Sequence, residues 1–126
     1  MITKTLLKQI NGIESIILFG SRARNEALSE SDYDLMVIAP FQGTIFERLK
    51  QIYTYIPPEL RIEALGWTAE EFEEMLHSFH LLALEILNDG IPLYDSGIFE
   101  KLHKEFKQLQ SKGLEKKEFY WVYPNQ

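Results

Sequence analysis

The chain has no cysteine, which excludes a disulfide scaffold, a thiolate metal site and a cysteine nucleophile, and suits a reducing compartment. Long apolar runs are also missing. Stretches such as residues 16–19 and 81–84 fall far short of the roughly 20 residues that a membrane-spanning helix needs. The N-terminus lacks the basic, apolar and small-residue succession of a secretory leader, so a cytoplasmic protein with no membrane partner is expected. Positive charge is scarce, with 13 Lys and Arg against 19 Asp and Glu and a formal net charge of -6. A protein that works mainly on nucleic acid neutralises many phosphates, and this composition argues against that class. The deficit is uneven: from Glu100 onward six Lys face four Glu, whereas residues 1–99 carry seven basic and fifteen acidic side chains. The mixed charges of the tail fit a solvated helix face better than a phosphate-binding patch.

What is present is a chain of 126 residues, 45% hydrophobic, long enough to bury one good core and too short for two. A single domain over 1–126 is expected. Leu6, Leu7 and Ile10 predict a short first helix over residues 3–10, with Thr3 as its N-cap and Asn11-Gly12 as its stop. Residues 14–19 read as a buried strand that ends at Gly20-Ser21. Residues 22–28 could form a helical turn, 29–31 a hairpin-like lead, and 33–39 a second strand that Pro40 ends. A second helix begins at Gly43-Thr44, with Ile45, Phe46, Leu49, Ile52, Tyr53 and Ile56 on one side, and Pro57-Pro58 stops it. In a third strand over 60–67, Ile62 and Ala64 share one face while Arg61, Glu63 and Leu65 share the other. Thr68 with Glu71 forms a capping box for a helix over 69–77. An apolar helix over 79–88, a short strand over 91–94 and an amphipathic helix over 98–110 follow, with Tyr94-Asp95 packing against and capping the last. Phe119 to Tyr123 alternate aromatics with Val, as in an edge strand or a docking surface. His77 and His80 stand three apart on a helix without a third ligand nearby in sequence, so a surface or core-edge role is expected. Interleaved strands and helices mean an α/β or α+β fold, a small mixed sheet with helices packed on it.

The stretch over residues 18–38 is the chemical centre of the chain. An apolar strand stops at Gly20-Ser21, and after ten further residues a second strand opens with Asp32 and Asp34. Side chains two apart on a strand point to one face, so these carboxylates form a ledge. Such a pair repels itself, and a hard divalent cation is the natural way to keep both ionised. The duller readings are a turn-capping Asp32, a solvent-facing Asp34 and an ordinary strand-to-turn junction at Gly20-Ser21.

The combination of Phe19-Gly20-Ser21-Arg22-Ala23-Arg24 with Ser31-Asp32-Tyr33-Asp34-Leu35 resembles the DNA polymerase beta-like nucleotidyltransferase superfamily, most closely its minimal nucleotidyltransferase (MNT) branch. Both halves, their order and their spacing agree. The likeness extends more weakly through Glu63 and residues 89–95, and together these divide the domain into a core motif (18–38), a third-carboxylate strand (60–67) and a C-terminal helix with an aromatic tail (98–126). The resemblance implies a nucleotidyltransferase fold and transfer of a nucleoside monophosphate from a nucleoside triphosphate to a hydroxyl. Phosphoryl-type displacement depends on positioning and charge neutralisation, which two Mg²⁺ ions supply. The implied metal ligands and catalytic residues are Asp32, Asp34 and, on the adjacent strand, Glu63, where many relatives carry Asp. Glu59 lies in the proline turn, and Glu70, Glu71, Glu73 and Glu74 lie in a helix. Gly20 would let the backbone approach the phosphates and Ser21 would donate to them; Arg22 and Arg24 could contact the triphosphate or instead pair with Glu26 or Glu30.

Small members of this branch are commonly paired with a helical HEPN ribonuclease toxin, to which the partner can attach AMP. The resemblance therefore implies an ATP-dependent, Mg²⁺-requiring antitoxin that adenylylates a hydroxyl of a HEPN partner. The alternative is a non-catalytic antitoxin or assembly subunit that neutralises its partner by binding alone. A small-molecule nucleotidyltransferase would need a second pocket wall, which a homo-oligomer could supply.

Overall fold

The two Ile- and Leu-rich segments over residues 15–19 and 33–38 pair at the centre of one sheet because each is apolar on both faces over most of its length and so needs cover on both sides. In the computed structural model, which describes residues 2–20, 23 and 32–124, the elements run α1 (Ile2–Gln9), β1 (Ser15–Phe19), β2 (Tyr33–Ile38), α2 (Ile45–Tyr53), β3 (Ile62–Trp67), α3 (Ala69–His77), α4 (Leu81–Asp89), β4 (Ile91–Asp95), α5 (Ile98–Ser111), β5 (Glu115–Lys116) and β6 (Trp121–Val122). The strand order is β3-β2-β1-β4. β1 is antiparallel to β2 and β4, while β2 and β3 are parallel. That parallel pair requires a crossover, and α2 provides it. The expected mixed sheet with packed helices is the observed fold. The expected turn over 22–28 and the lead over 29–31 lie outside the described residues, Ala23 apart.

Alternation along the strands sorts the core into two layers. Ile17, Met36, Ile38 and Trp67 face Phe72 and Leu76 of α3, Leu84 and Leu87 of α4, and Leu102 and Phe106 of α5. On the other face Ile16, Leu35, Val37 and Ala64 pack against Leu6 of α1 and Ile52 of α2. Helix ends follow the local sequence. Thr68 and Glu71 exchange side-chain and backbone hydrogen bonds at the start of α3, as the spacing predicts, and Thr44 with Glu47 forms a second capping box at α2. Asp95 accepts from the backbone N–H groups of Phe99 and Glu100 at 2.9 and 3.1 Å, capping α5.

Three expectations are corrected. Thr3 lies inside α1, which begins at Ile2. The apolar side expected of α2 is only partly buried: Ile52 and Ile56 are covered, but Ile45, Phe46 and Tyr53 are exposed. So many apolar residues on a short helix exceed the one stripe that meets the sheet, and that stripe includes Arg48. The Arg48 guanidinium donates to both carboxylate oxygens of Glu71, at 2.6 and 2.9 Å, and joins α2 on one face of the sheet to α3 on the other. This pairing holds the Glu71 carboxyl below its ordinary range and raises the guanidinium further. Lastly, the aromatic tail does not extend the main sheet. Trp121 and Val122 pair with β5 in a separate two-stranded ribbon, which packs on α5 through Trp121 and Phe106, their rings 5.7 Å apart.

Candidate active site

β1 delivers its carboxyl end and β2 its amino end to the same edge of the sheet. Phe19 is the register partner of Asp34, and Asp34 is in turn the register partner of Glu63 across the parallel β2–β3 pair. Register partners project to one face, and alternation assigns that face: Asp34 is two residues before Met36 and Glu63 two before Leu65, both in the layer under α3–α5. Beyond Leu65 and Met36, toward the start of these strands, the face becomes acidic. Asp34 is half-buried and Glu63 exposed. A cavity of about 430 Å³ opens there, lined by Phe19, Asp34, Leu49, Tyr53, Glu63 and Leu65. Its β3 wall is fixed by the Tyr53 hydroxyl, which accepts from the Ala64 N–H at 2.7 Å.

Gly20 follows directly on β1 with φ of 78°, a left-handed conformation that costs a residue with a Cβ. A Cβ built there would collide with the Asp34 carboxylate and lie 3.2 Å from its Cγ. Glycine is therefore required twice over, by its backbone angle and by the carboxylate that rests on it. Asp32 stands just before β2 and is half-buried. Its Oδ1 accepts from the Arg61 Nε at 2.9 Å, while the ladder continues below it through the Tyr33 N–H donating to the Arg61 carbonyl at 2.8 Å.

The structure thus brings Gly20, Asp34 and Glu63 together and holds Asp32 beside them on Arg61. Ser21, Arg22 and Arg24 lie outside the described residues. The donor set suits Mg²⁺, being hard carboxylate oxygen without thiolate or imidazole. The Asp32, Asp34 and Glu63 oxygens are not gathered within 4.8 Å of one another; among the described residues the group so gathered is Glu73, His77 and Glu105 on α3 and α5. That group supplies the neighbours which His77 lacked in sequence, but Glu73 is held by Lys101 at 3.2 Å and His77 by Glu105 at 2.9 Å. His80 instead caps α4, its Nδ1 accepting from the Leu82 N–H at 3.3 Å. A larger apolar groove of about 540 Å³, lined by Leu18, Tyr33, Leu35, Ile62 and Leu93 among others, has no carboxylate in its lining, whereas the smaller cavity offers those of Asp34 and Glu63.

Two contributors went unread in the sequence. In sequence Arg61 reads only as a residue on the face of Glu63, and its spacing two residues upstream is the one signal of a role beside the carboxylates. Tyr53 reads as one more apolar position of α2, and nothing local reveals that its hydroxyl reaches β3.

Comparison with known proteins identifies the fold and the family. The chain is 31% identical over 88 residues to the "Probable protein adenylyltransferase MntA" of Haemophilus influenzae, covering 67% of this chain and 77% of that protein. Its fold matches a toxin–antitoxin crystal structure with AMP-PNP at a TM-score of 0.54 and 15% identity, covering 87% of this chain and 84% of the other. A Sulfolobus solfataricus chain assigned as a nucleotidyltransferase matches with a TM-score of 0.54 and 18% identity over 75% of this chain and 74% of its own. The family described as "Polymerase beta, Nucleotidyltransferase" matches residues 2–97, and this chain belongs to it.

Proposed function

We propose that the chain, acting as one domain over 1–126, is an antitoxin that transfers AMP from ATP to a hydroxyl of a partner protein, the partner being a helical HEPN toxin. The observation that carries this reading is the seating of Asp34, pressed on the Cβ-free surface of Gly20 and paired in register with Glu63 at an open cavity. The likeness to a protein adenylyltransferase supports the choice of AMP and of a protein acceptor.

Asp32, Asp34 and Glu63 would hold two Mg²⁺ ions, which supply charge neutralisation for the triphosphate and a lowered pKa for the attacking hydroxyl. Gly20 would let the backbone approach the outer phosphates and Ser21 would donate its hydroxyl and N–H to them, with Arg22 and Arg24 as further cationic contacts. The acceptor hydroxyl enters on the Glu63 side, where β3 borders the cavity. Its oxygen attacks the α-phosphorus, the bond to the bridging oxygen of the pyrophosphate breaks, and Glu63 accepts the hydroxyl proton. Pyrophosphate leaves, and the partner carries a phosphodiester-linked AMP. Phe19 and Leu65 supply apolar lining to the cavity, and the lower polarity beside them strengthens the electrostatics of its rim.

The test is titration of the purified protein with a non-hydrolysable ATP analogue and Mg²⁺, beside transfer of labelled AMP to the co-purified partner. Asp34→Asn should abolish Mg²⁺-dependent nucleotide binding and lower transfer by about a thousandfold, the scale of several kcal/mol of lost charge stabilisation. A folded wild type that binds no nucleotide with or without Mg²⁺ would sink the proposal in favour of neutralisation by binding alone.

A further inference from the structure

Two carboxylates beside each other need a counter-charge even when no cation is bound, and Asp32 has one built into the chain. The Arg61 Nε donates to Asp32 Oδ1 at 2.9 Å. The contact is not accidental in its placement: Arg61 stands two residues before Glu63, and its own carbonyl anchors the Tyr33 N–H that lies between the two aspartates. The pair is also loose. The Arg61 and Asp32 side chains are 60% and 36% exposed, so it is of the weak, reversible kind. With Asp32 drawn to Arg61, the three acidic side chains do not converge.

We infer that Arg61 is an internal counter-ion that occupies Asp32 in the metal-free protein and is exchanged for the cation when nucleotide arrives. The inference rests on the nucleotidyltransferase reading of the site. It assigns Arg61 a positioning role. The guanidinium suppresses binding of a bare divalent ion, because the ion must displace a bonded cation and enter beside its positive charge. A triphosphate reverses the balance, since its oxygens offer the released guanidinium an anionic partner and bring the metal with them. Metal and nucleotide therefore help each other to bind, and by linkage the help is reciprocal.

The experiment measures Mn²⁺ binding by electron paramagnetic resonance, with and without a non-hydrolysable ATP analogue, in wild type, Arg61→Gln and Asp34→Asn. Arg61→Gln should bind Mn²⁺ alone about three- to fivefold more tightly, the scale of an exposed ion pair, and nucleotide should enhance its metal affinity less than in wild type. Neutralising Arg61 also changes the local field, so a second measurement isolates the contact: the ¹⁵N Nε–H resonance of Arg61, identified by its loss in the variant. It should move on addition of Mg²⁺ with the ATP analogue and much less with the analogue alone. Equal Mn²⁺ affinity in wild type and Arg61→Gln, or an Arg61 resonance that stays in place, overturns the exchange while leaving the nucleotidyltransferase reading intact. Absence of Mn²⁺ and nucleotide binding in folded wild type overturns both.

Discussion

The two ends of one sheet face make opposite use of the same strands. At one end Met36, Ile38 and Trp67 lie beneath α3, α4 and α5, where Phe72, Leu76 and Phe106 are fully buried. At the other end, one alternation step away on the same strands, Asp34 and Glu63 meet in register at an open cavity. The backbone ladder continues across the boundary; only the side chains and the cover change. The covered end holds the strands rigidly in register, and the open end spends that rigidity on bringing two like charges together. The buried core and the candidate site are thus separated by little more than the spacing of two residues along a strand.

That separation is open to test from each end. The largest expected effect is at the covered end, where Phe72→Ala should cost about 3–5 kcal/mol of unfolding free energy by opening a cavity, read by urea denaturation, while the activity of the remaining folded molecules is kept. Asp34→Asn gives the mirror image, with lost transfer and a midpoint that moves far less than that of Phe72→Ala, because the side chain is only half-buried. Should Asp34→Asn instead destabilise as Phe72→Ala does, the two ends would not be separable in this way.

Gly20→Ala tests the seam between them. A left-handed alanine costs about 1–2 kcal/mol, and the new methyl must displace the Asp34 carboxylate. Nucleotide affinity should fall by more than the stability loss accounts for, as measured by titration calorimetry beside thermal melts. The smallest effect concerns pH and the closed side of the molecule. Arg48 holds the folded-state pKa of Glu71 below its ordinary value. The contribution of this pair is therefore fully present above the ordinary carboxylate pKa and is lost as pH falls through the lowered folded value. Since the Glu71 side chain is 35% exposed, solvent screening limits that contribution to about 1 kcal/mol. Glu71→Gln should flatten the corresponding part of the acid limb in stability measured against pH, and an unchanged acid limb would remove Glu71 from the account.

Much of this was legible from local pattern. The Thr68–Glu71 capping box and the strand before Gly20 each follow from a few neighbouring residues, and the structure has them where those residues place them, while the apolar helix expected over 79–88 begins only at Leu81, with His80 as its N-cap. Thr44 and Glu47 offered the same capping signature and were equally readable. The misreadings of α2 and of the aromatic tail share one physical cause, which is that local pattern carries no information about which neighbour an element meets. Arg48 sits in the buried stripe of α2 because Glu71 of another helix waits at the edge of β3. The aromatic tail alternates as a strand should, yet its partner is the short segment Glu115–Lys116 rather than the main sheet.

The sequence by itself determined the alternation that makes both strands two-faced, the end of the first strand at Gly20 and the family to which the paired motifs belong, because each depends on residues close in the chain. Only the tertiary structure decided that Glu63 is the register neighbour of Asp34 and that Arg61 holds Asp32. Those relations depend on the parallel pairing of β2 with β3 through the α2 crossover, which brings together side chains that spacing alone cannot join.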